Sequence, residues 1–167
     1  QGIINVLPPL GKISASKQPH NIAILATESV VKGSEIDDYV KETIKSRKHS
    51  IVKINSSSLV NLVETGKFID KPEYCSTIIQ KTLKKKFQQH KIDVATLSST
   101  HLPFLLPFLE DAFPNVRFLD PAIIVAQKIS RKNIANKNLK NRLQIFTTGD
   151  ARKFQSKLKK IGIRNKV

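Results

Sequence analysis

The 167-residue chain is 40% hydrophobic and 25% charged, with 29 lysines and arginines against 13 acids and a formal net charge of +16. That balance excludes a disordered chain, and no apolar run nears the roughly 20 residues that span a bilayer. One cysteine, Cys75, excludes an internal disulfide and a multi-cysteine metal centre, and His20, His49, His90 and His101 show no H-x-x-x-H spacing.

The length suffices for one ordinary core and a small appendage, with cytoplasm the default location and neither metal nor cofactor implied. Gln1 to Leu10 reads as an apolar entry strand closed by Pro8-Pro9, followed by a polar connector to Asn21. Asn21 to Ala26, N-I-A-I-L-A, suits a fully buried parallel strand. Ser34 is placed to cap a helix running to about Ser46, with Asp37 and Asp38 near its start and Lys45, Arg47 and Lys48 near its end, where each sign suits the helix dipole. Ser50 to Asn55 alternates as a strand, and Ser56-Ser57-Ser58 would cap the short helix that carries Glu64.

Asp70-Lys71-Pro72-Glu73 fits a D-x-x-E capping box opening a helix on which Tyr74, Ile78, Ile79, Leu83 and Phe87 recur at helical spacing. Lys81, Lys84, Lys85 and Lys86 take its other face, and Cys75 on it reads as a buried, idle thiol. After the central strand, Phe104, Leu105, Phe108, Leu109 and Phe113 give the next helix an apolar stripe that reads as core. Val116 to Leu119 is a last short strand, Asp120-Pro121 opens another helix, and an Asn/Lys-rich linker follows. The expected division is a domain over 1–130, a linker over 131–142, and a strand-helix segment over 143–167.

The stretch with most chemistry is Asp93 to Phe104, D-V-A-T-L-S-S-T-H-L-P-F. Val94 to Leu97 suit a parallel strand, Ser98, Ser99 and Thr100 leave it, and Pro103 sits where a first helical turn tolerates a missing N–H. In open α/β sheets ligands bind beyond the carboxyl ends of the strands. Ser-Ser-Thr-His therefore either lines a pocket for a small anion, or the hydroxyls cap the helix and His101 packs.

T-L-S-S-T-H-L-P-F-L-L-P resembles the glutamate racemase segment usually written L-G-C-T-H-Y-P-L-L-x-P. Ile24-Leu25-Ala26-Thr27-Glu28 is similar to that family's I-G-T-x-A strand end, and Leu62-Val63-Glu64-Thr65-Gly66 to its L-V-E-E-G. Phe118-Leu119-Asp120-Pro121 with Val125-Ala126, and Phe146-Thr147-Thr148-Gly149-Asp150 with Phe154, resemble two later motifs in the same order. The resemblance implies a parallel-sheet, flavodoxin-like three-layer α/β domain, with a closing strand and helix that complete a first domain absent here. The chain thus reads as the carboxyl-terminal part of a longer protein.

It also implies an activity: cofactor-independent interconversion of L- and D-glutamate, supplying D-glutamate for peptidoglycan, by two cysteines acting on opposite faces of the substrate. The family's proton-transferring cysteine aligns with Ser99, its histidine with His101 and that histidine's acidic partner with Glu64. Thr27, Ser98 and Thr100 take substrate-binding places, and a further substrate-holding threonine falls on Val30. With a hydroxyl for a thiol and one half missing, no turnover is expected of this segment alone. A one-cysteine racemase or decarboxylase relative and a non-catalytic protein binding an acidic metabolite are the alternatives.

A second copy of the chain is the expected cover for the closing helix's apolar face. From Lys128 onward Asp150 is the only acid, but no interleaved aromatics or nucleic-acid-binding motif accompany the bases. A solvated lysine-rich surface is the favoured reading, with nucleic acid second.

Overall fold

The computed structural model describes residues 6–133 and 144–166. Two compact units are present, one ending at Ile129 and the other beginning at Ser130.

The first unit is built on four short runs with apolar, β-prone sequence. β1 (Asn21–Ala26), β2 (Ser50–Asn55), β3 (Val94–Leu97) and β4 (Arg117–Leu119) form one sheet in the order β2-β1-β3-β4. All three pairings are parallel, with Leu25 opposite Leu97 and Ala26 opposite Asn55. A parallel sheet needs cover on both faces, and the period-2 alternation of β1 and β3 supplies two apolar faces. Ala23, Leu25, Ala95 and Leu97 face one core, while Ile22, Ile24, Ala26 and Val94 face another.

The first core is closed by α4 (Ser57–Glu64), α6 (Pro72–Gln89), a 3-10 helix (Leu102–Leu105) and α7 (Leu106–Ala112). On α6 the buried stripe is Cys75, Ile79, Leu83 and Phe87, one residue every fourth position. The second core takes Ile13 of α1 (Gly11–Ser14) and Ile36, Tyr39 and Val40 of α3 (Ser34–Thr43). Short α2 (Glu28–Lys32) and α5 (Lys67–Asp70) link these helices, and α8 (Ala122–Asn133) follows β4. This is the three-layer, flavodoxin-like α/β arrangement that the resemblance implies.

Several local expectations are corrected. Residues 1–5 lie outside the described residues, and Val6 to Leu10 form no strand; Pro8 and Pro9 offer no N–H to a ladder, and the chain turns into α1 at Leu10. Ser34 is the first residue of α3 rather than its cap, because Gly33 both ends α2 and starts α3, and α3 stops at Thr43. The Asp70–Glu73 capping box does not form. Asp70 completes α5, Lys71 caps α6 without a side-chain bond, and Pro72 opens α6 with its preset φ. Tyr74 is exposed, as is Phe104, so neither is core.

The expected linker over 131–142 begins as helix: Ser130-Arg131-Lys132-Asn133 holds no Gly or Pro to stop α8, and 134–143 lie outside the described residues. Of the strand expected over 143–147, residues 144–147 pair with no strand. α9 (Ala151–Lys160) is present, its N-terminus capped by Asp150, which accepts from the Lys153 amide.

Candidate active site

The carboxyl ends of β1, β2 and β3 are tied into one edge by backbone bonds. Ser98 N donates to Leu25 O at 2.9 Å and Ser56 N to Ala26 O at 2.8 Å. The loops after the strands are joined by side chains. Asn55 Oδ1 accepts from Ser57 N at 3.0 Å, so it satisfies the α4 terminus that the serines were expected to cap. Ser57 Oγ instead accepts from Glu28 N at 3.0 Å, and Ser58 Oγ pairs with Thr82 Oγ1.

At this edge three of the predicted groups form a chain. Ser99 Oγ lies 3.4 Å from His101 Nδ1 and accepts from His101 N at 3.3 Å. His101 Nε2 lies 3.6 Å from Glu64 Oε1. Packing puts them there: fully buried Leu102 and Leu105 anchor the 3-10 helix directly after His101, while buried Leu59, Val60 and Leu62 hold the helix that ends at Glu64. A hydrogen on Nε2 suits the carboxylate and leaves Nδ1 to accept the Ser99 proton, which is the order of a proton relay. The His101 side chain keeps 37% of its exposure and Glu64 57%, so both are open to water. Both spacings are longer than an ordinary hydrogen bond.

The other three predicted residues divide. Thr100 is exposed and, with Ser99, lines a groove of about 400 Å3 whose walls include Pro103, Phe104, Pro121 and Val125. Ser98 turns its hydroxyl to Thr96 Oγ1 at 2.9 Å, and Thr27 turns its own to Ser29 Oγ at 3.2 Å. Both sit at the edge, but their side chains are engaged locally.

Asp120, also in the groove wall, is a site candidate that sequence reasoning assigned to a helix start. It does that work, accepting from Ala122 N at 2.7 Å, and it shares the groove lining with Ser99 and Thr100. Its position one residue beyond β4 was the available signal. Cys75 is far from such work: it is fully buried on α6, and burial pushes its thiol up, with Lys67 pulling weakly the other way. Among the described residues no cluster of three or more His, Cys, Asp or Glu could hold a metal, and no helix is long and apolar enough to cross a membrane.

No family model matches the chain. Among curated proteins, glutamate racemase of Carboxydothermus hydrogenoformans is 28% identical over 157 residues, covering 90% of this chain and 56% of that protein. Glutamate racemase of Actinobacillus pleuropneumoniae serotype 3 is 33% identical over 136 residues, covering 77% and 47%. Among solved structures, Escherichia coli glutamate racemase in complex with L-glutamate and the activator UDP-MurNAc-ala superposes with a TM-score of 0.75 at 18% identity, over 95% of this chain and 61% of that one. The Thermus thermophilus enzyme in complex with beta-chloro-D-alanine gives 0.67 at 22%, over 97% and 61%.

The sheet order and these superpositions define a parallel α/β domain with the fold seen in those glutamate racemase structures. The sequence relatives narrow this further: the curated proteins it matches are glutamate racemases, and the chain spans about half the length of those relatives.

Proposed function

We propose that this chain supplies one wall of a glutamate racemase-type active site, with Ser99, His101 and Glu64 forming the proton path on one face of the substrate. The observation that carries the reading is the Ser99–His101–Glu64 chain itself, in which Glu64 and His101 meet from 37 positions apart at the strand edge where parallel α/β domains bind ligands. Inverting an α-carbon needs acid and base groups on opposite faces, since a single base tends to return the proton where it was taken. The opposing group would come from a first domain preceding this one, and the whole protein would interconvert L- and D-glutamate in the cytoplasm, supplying D-glutamate for peptidoglycan. Thr100 would hold a substrate carboxylate, joined by Thr27 and Ser98 where their hydroxyls exchange Ser29 and Thr96 for the ligand. The same reading makes residues 1–130 the second racemase domain, and the segment from 143 onward the part that completes the first.

A cysteine thiol, with an ordinary pKa of about 8.5, can be brought into working range by its neighbours. A serine hydroxyl is a far weaker acid. Ser99 is therefore a slow proton shuttle even with His101 beside it, and the 167-residue chain alone should not turn over. The buried, unreactive setting of Cys75 leaves no substitute thiol at the edge, which favours as second reading a relative that binds an acidic amino acid without chemistry.

Incubation with L-glutamate in D2O separates the two. Polarimetry should show no racemisation above a Ser99→Ala control, and proton NMR should show whether the Cα hydrogen exchanges. Exchange that depends on Ser99 and His101 supports the proton path; binding with no exchange supports the second reading; full racemisation contradicts the account of Ser99.

A further inference from the structure

The second unit carries a cationic groove that the racemase reading does not use. Arg152, Lys159 and Lys166 line it with Gln155 and Ser156, in a hollow of about 440 Å3. Gln155 Nε2 donates to Asn165 O at 2.8 Å, which folds the tail back along α9 and brings Lys166 to the groove. Arg152 and Lys159 lie seven residues apart on one face of α9, two turns or about 10 Å.

The charge here is nearly of one sign. From Asp150 to Lys166 there are seven bases and one acid. That acid is engaged, since Asp150 accepts from Lys153 N at 3.0 Å and sits 4.0 Å from Lys153 Nζ. The apolar side of α9 is turned away from water: Leu158 is buried, and Phe154 and Ile161 are half-buried. What α9 shows to solvent is therefore a cationic face, whereas a membrane-surface helix would need its apolar face free. Phe146, in the same unit, is 85% exposed, so a large flat ring stands in water a few residues before the helix. The sequence alone shows no aromatic platform among the bases; the exposed Phe146 ring is available to stack.

We propose that α9 and the tail after it bind the phosphate backbone of single-stranded nucleic acid, with Phe146 stacking on a base. Repeated cations along an open groove suit a chain of phosphates better than one enclosed anion, and an exposed ring adds affinity for unpaired bases.

The test is fluorescence anisotropy of the 167-residue chain with labelled oligo-dT and with a duplex of equal length, across a salt series. Three phosphate contacts predict a log-affinity against log-salt slope of about −2 for the single strand. Arg152→Glu/Lys159→Glu/Lys166→Glu should abolish binding, and the milder Arg152→Gln/Lys159→Gln pair should weaken it with far-UV circular dichroism unchanged. Phe146→Ala should weaken the single strand about fivefold or more and leave the duplex unaffected. The proposal fails if oligo-dT does not bind at low salt, if the charge variants bind as the parent does, or if phosphatidylserine vesicles bind while oligo-dT does not. An inert Phe146→Ala would remove stacking from it.

Discussion

His101 is held between two different partners, and that placement sets what the edge can do. Its Nδ1 faces the Ser99 hydroxyl at 3.4 Å and its Nε2 the Glu64 carboxylate at 3.6 Å. Replacing Ser99 with cysteine should therefore produce a reactive thiolate. Ser99→Cys is expected to alkylate with iodoacetamide near neutral pH about tenfold faster than Ser99→Cys/His101→Gln, with Cys75 silent in both because it is buried. Equal rates would mean that the ring does not act on position 99. These three residues were reached through motif resemblance, since no periodicity links residues 64 and 101. Ser98 and Thr27 show the limit of that route: in sequence their hydroxyls look as available as that of Ser99, but each is bonded to a neighbour two residues away.

At the scale of elements, the strands were the most legible part, because N-I-A-I-L-A and V-A-T-L can be satisfied only between two apolar layers. Helix ends were the least legible. Ser34, Asp70 and the Ser56–Ser58 run have capping chemistry, yet Gly33, Lys71 and Asn55 settle those termini through backbone geometry and tertiary contacts. On α6 Ile79 is fully buried in the core, and Ile79→Ala should lower unfolding free energy by about 2 to 5 kcal/mol in urea titration.

The opposite, amino-terminal edge of the sheet holds a pH-sensitive group. The His49 ring is buried with neither nitrogen partnered among the described residues, stacked on His20 at 5.8 Å, while His20 Nδ1 meets Asp93 Oδ2 at 2.6 Å. Burial foremost, then Lys48 and His20, push the His49 imidazolium below its ordinary pKa, with Asp93 opposing. As pH falls the unfolded chain takes up that proton first. The stability His49 gives is thus complete above about pH 6.5 and is lost as pH drops through that value toward the lower folded one. Thermal melts at about pH 7.5 and about pH 5.5 should show a larger acid loss for the parent than for His49→Phe, which keeps the stack without the titration. An equal loss would place the acid sensitivity elsewhere.

For the whole molecule, the order β2-β1-β3-β4 could not be read from any one segment, because crossover order depends on how helices cover both faces at once. The exposed apolar residues likewise emerge only from the folded chain. Phe104 at 44%, Ile123 at 60% and Ile129 at 44% stand on the surface of the first unit, and Val6 joins them at 44%. Such a surface needs cover. We expect sedimentation of the 167-residue chain to show self-association that Phe104→Ser/Ile123→Glu reverses; a monomer at all concentrations would leave the proposed first domain as the cover.

The central claim is that Ser99, His101 and Glu64 face a small amino-acid ligand. It is tested most directly by NMR titration of the isotopically labelled chain with D- and L-glutamate. The account predicts shifts concentrated at Thr27, Ser98 to His101 and Glu64, lost in His101→Gln. Shifts confined to the basic α9, or none at saturating ligand, would contradict it.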